Sequence, residues 1–214
     1  FANDDGPYSL LMPEEFYAVR NPGLEGYENT SQSINPELGS VGTPEIESMR
    51  LFLSPQVLKS FPSRLSEYVH PVWDYHKYES YTTVFDGQTS PDPILDDEAS
   101  TTDYDHIYDS FGGSIPTDTA EYCWRAQVVQ FVQFKSLFEG FSAHAWEWYA
   151  GVLFWKSQSP WPALRGGLYD YFLRQTGGFW GVRAALRDTV HIQLETPTSS
   201  DIRVINKSPK DTGP

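Results

Sequence analysis

The run Gly151-Val152-Leu153-Phe154-Trp155 is short, continuous and apolar, as expected of a parallel strand covered on both faces. Parallel strands cannot be joined by a tight turn and need a crossover, usually a helix. A chain carrying such a run is therefore expected to contain strand–helix units and to be α/β. The polar residues Lys156, Ser157, Gln158 and Ser159 follow the run at its C-terminal end, then Pro160 and Trp161.

A second unit of this kind lies upstream. Ser31 to Ile34 reads as a short strand, and Asn35-Pro36-Glu37-Leu38-Gly39-Ser40-Val41-Gly42 as turn chemistry. Thr43 suits an N-cap, Pro44 the first helical position, and Glu45 and Glu47 the positive end of a helix dipole. That helix is predicted to run to about Leu53, where Ser54-Pro55 stops it. Residues 61–116 read as a long irregular insertion, which is more often functional than idle. A long helix is predicted from Asp118, with Glu121 as capping-box partner; Trp124, Val128, Phe131, Phe134 and Phe138 form its core stripe and Gly140 its stop. A further helix is expected over Leu168 to Gln175, stopping at Gly177-Gly178. Beyond it, Val190, Ile192 and Leu194 alternate with His191, Gln193 and Glu195, and Ile202, Val204 and Asn206 form a second run, which together predict an antiparallel hairpin. The change of pattern places a domain boundary near Arg187 to Val190. Phe1 and Pro214 do not read as domain edges, so a fragment or processed polypeptide is expected.

Charge and cysteine content exclude several function classes. A net charge of −14 argues against nucleic acid, whose phosphates need clustered Lys and Arg. From Tyr78 to Trp124 there are eleven Asp and Glu and no Lys or Arg, most simply a solvated acidic stretch. No apolar block approaches the ~18 residues of a membrane span. Cys123 is the sole cysteine, so neither an internal disulfide nor a cysteine metal cluster can form. Asn29 and Asn206 open Asn-x-Ser/Thr sequons and are possible N-glycosylation sites, which permits the secretory pathway, a vacuolar or lysosome-like compartment or the exterior.

Two strand–loop–helix units with polar strand ends fit part of a (β/α)₈ barrel, whose chemistry sits on the loops after the strands. Glu37 occupies such a place in the first unit, and Lys156 and Gln158 the equivalent place in the second. Taken alone, a Glu in a Gly-rich turn is most simply a solvated side chain. Gly39-Ser40-Val41-Gly42 is not a nucleophile elbow, and the His residues show no zinc-protease pairing. His144 and His191 read as satisfied structural residues. Aromatic residues make up 15% of the chain, and exposed rings bind the apolar C–H faces of sugars by stacking. Trp155 and Trp161 flank the polar strand end, and Trp73, Tyr75 and Tyr78 crowd the insertion.

The segment Asn35-Pro36-Glu37-Leu38-Gly39-Ser40-Val41-Gly42-Thr43-Pro44 resembles the surroundings of the nucleophile in family 2 glycoside hydrolases. Further similarity runs through Gly6-Pro7-Tyr8, Trp73-Asp74-Tyr75-His76-Lys77-Tyr78, Arg125-Ala126-Gln127, Gly151 to Trp161, Leu164-Arg165-Gly166 and Tyr169-Asp170. The Lys156-Ser157-Gln158-Ser159-Pro160-Trp161 run and Leu164-Arg165-Gly166 favour the plant endo-β-mannosidase branch over the exo-β-D-glucosaminidases. The resemblance implies that residues 1–187 are the C-terminal part of a catalytic (β/α)₈ TIM barrel, with the insertion at 61–116. Residues 188–214 would begin an immunoglobulin-like β-sandwich. It implies Glu37 as nucleophile on strand seven, Trp155 as the strand-eight floor of the sugar site, and Lys156, Gln158, Trp161, Tyr8, Trp73 and His76 as substrate-binding residues. The acid/base Glu of strand four has no match here, so other fragments of the same precursor are the expected partners, with an oligosaccharide or glycopeptide as substrate. Two alternatives stay open at this stage, an exo-β-D-glucosaminidase and a non-catalytic sugar-binding or structural subunit.

Overall fold

The computed structural model describes residues 13, 17, 34–38, 42–62, 70–76, 110–145, 150–154, 156–164, 167–196 and 198–208. The elements are β1 (Ile34–Leu38), α1 (Ile46–Met49), a 3₁₀ turn (Val57–Lys59), α2 (Pro71–Tyr75), α3 (Thr119–Ala143), β2 (Gly151–Phe154), α4 (Gly177–Leu186), β3 (Val190–Leu194) and β4 (Ile202–Asn206). The two strands of the strand–helix units pair in parallel, Ile34 opposite Gly151, Asn35 opposite Val152 and Leu38 opposite Phe154. β1 thus has one residue more than β2 between its last two paired positions. The irregularity falls at Pro36-Glu37, where proline has no N–H to give the ladder. The strand was expected to end at Ile34. It continues through Leu38, so Glu37 lies inside it.

The 25-residue α3, about 37 Å long, is the spine of the molecule. Asp118 caps it, its side chain accepting from the Glu121 N–H at 2.8 Å. Glu121 reaches back to the Thr117 N–H and hydroxyl at 2.8 and 2.7 Å and also takes the Arg125 guanidinium at 2.6 Å. Helix α3 ends at Ala143 rather than Gly140, because Gly140 is buried within it and His144 supplies the cap. Its buried face is also rotated from the expected stripe. Tyr122, Ala126, Val129, Gln133, Leu137 and Phe141 face inward with Phe134, whereas Trp124 is 57% exposed. Val128, Phe131 and Phe138 are half-buried.

Two clusters form along α3. Its N-terminal half packs Tyr122, Cys123, Ala126 and Val129 with Met49, Leu53, Val57, Trp73 and Leu164. Trp73 meets Tyr122 edge-on at 6.0 Å. The expected insertion therefore supplies a helical turn, α2, and a core tryptophan. The C-terminal half packs Leu137 and Phe141 with Tyr17 and Val152, while Phe154 sits 5.1 Å from Phe134. Since β2 advances as α3 retreats, the carboxyl ends of β1 and β2 point toward the start of α3.

Helix α4 occupies residues predicted to follow a helix. Gly177-Gly178 open it rather than stop the one expected over 168–175, and Thr176 caps it by accepting from the Phe179 N–H at 3.4 Å. The reason is close approach. A Cβ on Gly177 would lie 2.0 Å from the Gln127 carbonyl oxygen, and one on Gly181 2.4 Å from the Phe131 carbonyl oxygen. The glycines let α4 lie directly on the α3 backbone.

The hairpin forms with the expected residues, Val190 opposite Asn206 through Leu194 opposite Ile202. Its buried face is the polar one. His191 and Gln193 are buried, while Val190, Ile192, Leu194, Ile202 and Val204 are all exposed. The polar face meets the buried Glu139, which receives Tyr17 Oη at 2.5 Å, Lys135 Nζ at 2.7 Å and the His191 ring at 2.9 Å. Burial pushes this carboxyl up, but the donors outweigh it and hold it below its ordinary value. Burial, and then Glu139, push the Tyr17 phenol up. Arg203 Nη1 donates to the Ala143 carbonyl at 2.6 Å, satisfying an orphan acceptor at the end of α3. His144 Nε2 meets the Tyr17 carbonyl at 3.0 Å, so both histidines hold structural partners. Among the described residues no helix is long and apolar enough to cross a membrane.

Gly181→Ala is expected to destabilise the fold by about 1–3 kcal/mol through overpacking against backbone, read from the denaturant midpoint. The Thr117 N–H, ahead of the Thr117 hydroxyl and Arg125, holds the Glu121 carboxyl down from 4.5 to about 2. Its folded pKa is depressed, so its contribution is full above pH 4.5 and disappears as pH falls through about 2. The stability difference between wild type and Glu121→Gln should shrink over that window; a difference independent of pH would refute the cap.

Candidate active site

The site is built where β1 and β2 end. Glu37 is the penultimate residue of β1, at the break in pairing with β2. Past β1, the chain passes Gly42 and Thr43 and turns into α1. Past β2, Lys156 and Ser157 pass under Gly167, whose added Cβ would lie 3.2 Å from the Ser157 carbonyl oxygen and 3.3 Å from that of Lys156. Gln158 then bridges to Tyr169 in parallel and donates to the Tyr171 carbonyl at 3.4 Å.

Two glutamines of α3 tie these strand-end loops together. Gln127 donates through Nε2 to the Thr43 carbonyl after β1 and accepts the Gly177 N–H through Oε1 at 2.6 Å. Gln130, fully buried, donates to the Gly167 carbonyl at 3.3 Å and lies against Gly42, where a Cβ would come within 2.5 Å of the amide. Both loops are thereby held to one helix. Sequence reasoning missed this clamp because its glutamines interrupt an aromatic helix; the signal available was polar residues at 127 and 130 on a buried face.

Of the remaining expected site residues, Trp161 is half-buried and stacks on His76 at 5.7 Å and 23°. His76 is 8% exposed, its Nδ1 2.7 Å from the Pro162 carbonyl, so it supports Trp161 from behind. Trp73 corrects an expectation. It is a core residue with no exposed surface, and its ring cannot serve as a sugar platform. Lys156 is half-buried at the end of β2. Trp155, Tyr8 and Asn29 lie outside the described residues. Asn206 is exposed at the end of β4, its Oδ1 accepting the Ser208 N–H at 2.8 Å. Among the described residues no cluster of three His, Cys, Asp or Glu side chains could hold a metal ion.

No protein-family model matches the chain. Curated proteins do. A mannosylglycoprotein endo-beta-mannosidase from Lilium longiflorum is 35% identical over 208 residues, which are 94% of this chain and 19% of that protein. An exo-beta-D-glucosaminidase from Hypocrea jecorina is 26% identical over 98% of this chain and 21% of its own length. This chain is a relative of the family 2 glycoside hydrolases. It spans about a fifth of the length of the curated relatives it matches. Among solved structures, an Amycolatopsis orientalis exo-chitosanase superposes with a TM-score of 0.63 at 20% identity, covering 94% of this chain and 21% of that one. That likeness is one of fold, and it agrees with the α/β reading.

Gln127→Leu should strand the buried Thr43 carbonyl and the Gly177 N–H. The expected cost is about 2–4 kcal/mol, with faster hydrogen exchange at the Gly177 amide. An unchanged exchange rate would show that Gln127 does not tie the loops together.

Proposed function

We propose that this chain is the part of a retaining β-glycosidase that contributes the nucleophile, Glu37. The observation carrying this reading is the parallel pairing of β1 with β2. It puts Glu37 and the Lys156–Gln158 run at the same end of one sheet, where α/β enzymes keep their chemistry. Residues 1–187 are then the C-terminal portion of a (β/α)₈ barrel, with β1 and β2 as its last two strands. Residues 188–214 begin a β-sandwich, in keeping with a hairpin whose apolar face is open and whose polar face meets α3.

In a retaining enzyme two carboxyl groups stand ~5–5.5 Å apart. Glu37, ionised, attacks the anomeric carbon and forms a glycosyl ester as the leaving oxygen departs with a proton from the second carboxyl. That group then takes a proton from water, which opens the ester and frees Glu37. The acid/base Glu comes from another fragment of the same precursor. Lys156, Gln158 and Trp161 contact the sugar, a role that the family resemblance also gives to Trp155 and Tyr8. His76 acts through Trp161. Neither step requires a cofactor.

The substrate that best suits the similarity to the Lilium longiflorum enzyme is the Manβ1-4GlcNAc linkage of N-glycans. Similarity to several exo-beta-D-glucosaminidases supports a second reading, cleavage of glucosamine from chitosan oligomers. The sequons at Asn29 and Asn206 accord with a secretory or vacuolar location.

In the full-length protein, Glu37→Gln should lower kcat by about 10³-fold or more while leaving the unfolding midpoint unchanged. Near-wild-type turnover would remove Glu37 from the mechanism. Assay on a Manβ1-4GlcNAc glycopeptide beside a chitosan oligomer separates the two substrates.

A further inference from the structure

Tyr169-Asp170, on the far side of the loop that follows β2, carries a buried carboxylate that neither step of the hydrolysis uses. Asp170 is 7% exposed, and Ser48 on α1 has no exposed surface. The Ser48 hydroxyl donates to Asp170 Oδ2. Oδ1 accepts the N–H groups of Phe172 at 2.8 Å and Arg174 at 3.0 Å. A buried carboxylate is costly unless donors surround it, and all of these donors are neutral. Hydrogen-bond geometry, not an opposite charge, therefore fixes the group in place.

Between those two amides lies Leu173 at φ 63°, a left-handed conformation that a leucine rarely adopts. Such strain persists only where the surroundings over-determine it. Asp170 does so here with its backbone as well: its N–H donates to the Arg174 carbonyl at 3.0 Å, and its carbonyl accepts the Leu173 N–H at 3.1 Å. The turn so closed grips Gln158. The Tyr169 N–H donates to the Ser157 carbonyl at 2.9 Å, Gln158 pairs with Tyr169, and Gln158 Nε2 donates to the Tyr171 carbonyl at 3.4 Å. The residues on either side of Asp170 thus hold Gln158 by backbone and by side chain. Through Ser48 the same turn is tied to α1, the helix that follows the strand of Glu37.

We propose that Asp170 is a positioning residue for the hydrolysis, which fixes Gln158 relative to α1 and so to the strand end that carries Glu37. It acts through Gln158 and touches no substrate itself. It also sets which end of the amide meets the sugar. A carbonyl can only accept, so Gln158 must turn its NH₂ to Tyr171, and Oε1 is left to accept from a sugar hydroxyl. Small displacements of such a group are costly, because rate depends steeply on how reacting and binding groups are placed. The role rests on the glycosidase reading above.

The test uses the full-length protein, assayed on a Manβ1-4GlcNAc glycopeptide and a chitosan oligomer, with amide hydrogen exchange followed in parallel. Asp170→Ala should lower kcat/KM about 10- to 100-fold and quicken exchange at the Tyr169 amide. Asp170→Asn keeps an oxygen for the Phe172 and Arg174 amides and should stay within about 3-fold of wild type. Leu173→Gly, which relieves the strained turn, should return part of the rate to Asp170→Ala. The deciding measurement is the cycle with Gln158→Ala: once Gln158 is gone, losing Asp170 should cost little more. A residue that only stabilised the fold would add its full loss to that of Gln158→Ala, and this result would overturn the proposal. If Asp170→Ala does not fold, Ser48→Ala, which breaks only the tie to α1, takes its place in the cycle with the same expectation. If the unmodified protein hydrolyses neither substrate but exchange at Tyr169 still depends on Asp170, the hold on Gln158 stands and the glycosidase reading fails. If hydrolysis proceeds while the Asp170 variants change neither rate nor exchange, the reverse holds.

Discussion

The contact between α3 and α4 is so close that a methyl group at Gly177 would sit 2.0 Å from a helix carbonyl. No side chain fits between the two backbones there, and the glycines are what allow the approach. Once α4 lies on α3, Gln127 can take the Gly177 N–H and still reach the Thr43 carbonyl, and Gln130 can reach Gly167. Both strand-end loops then have fixed positions relative to one helix. The candidate chemistry therefore depends on a packing contact some distance from it.

The opposite end of α3 is organised by charge and hydrogen bonding. A buried carboxylate is tolerable only when its oxygens are well supplied with donors. Glu139 has three, from Tyr17, Lys135 and His191, drawn from three parts of the chain. Because that carboxylate needs polar partners, the hairpin meets α3 with His191 and Gln193 and turns its valines, isoleucines and leucine outward. Arg203 adds a cation at the negative end of the helix dipole. The two ends of one helix thus serve different purposes, packing and loop positioning at the first and attachment of the hairpin at the second.

Several features were legible beforehand because local chemistry decides them. The Asp118 cap with Glu121, the apolar β2 run and the alternation of the hairpin all follow from neighbouring residues. Other features were misread for a common reason, in that they depend on what lies across from a residue. Gly177-Gly178 reads as a helix stop to local rules, yet it opens α4 because the α3 backbone approaches there. The Trp124 stripe satisfies helical spacing, but the partners of α3 select a face rotated from it. Trp73 resembles a surface platform in sequence and is a core residue, since Tyr122 and Met49 close over it.

By itself the sequence determined the α/β character, the parallel strand, the capped long helix, and the kinship with family 2 glycoside hydrolases carried by the Glu37 segment and the run ending at Trp161. These are properties of contiguous residues, where periodicity, turn chemistry and motif order act over short distances. Only the tertiary structure decided which face of α3 is buried and where α4 begins. It also decided that β1 extends past Pro36 to include Glu37, and that the hairpin presents polar residues to Glu139. Each depends on groups far apart in the chain meeting at a few ångströms, and side-chain spacing along one segment holds no information about what will face it.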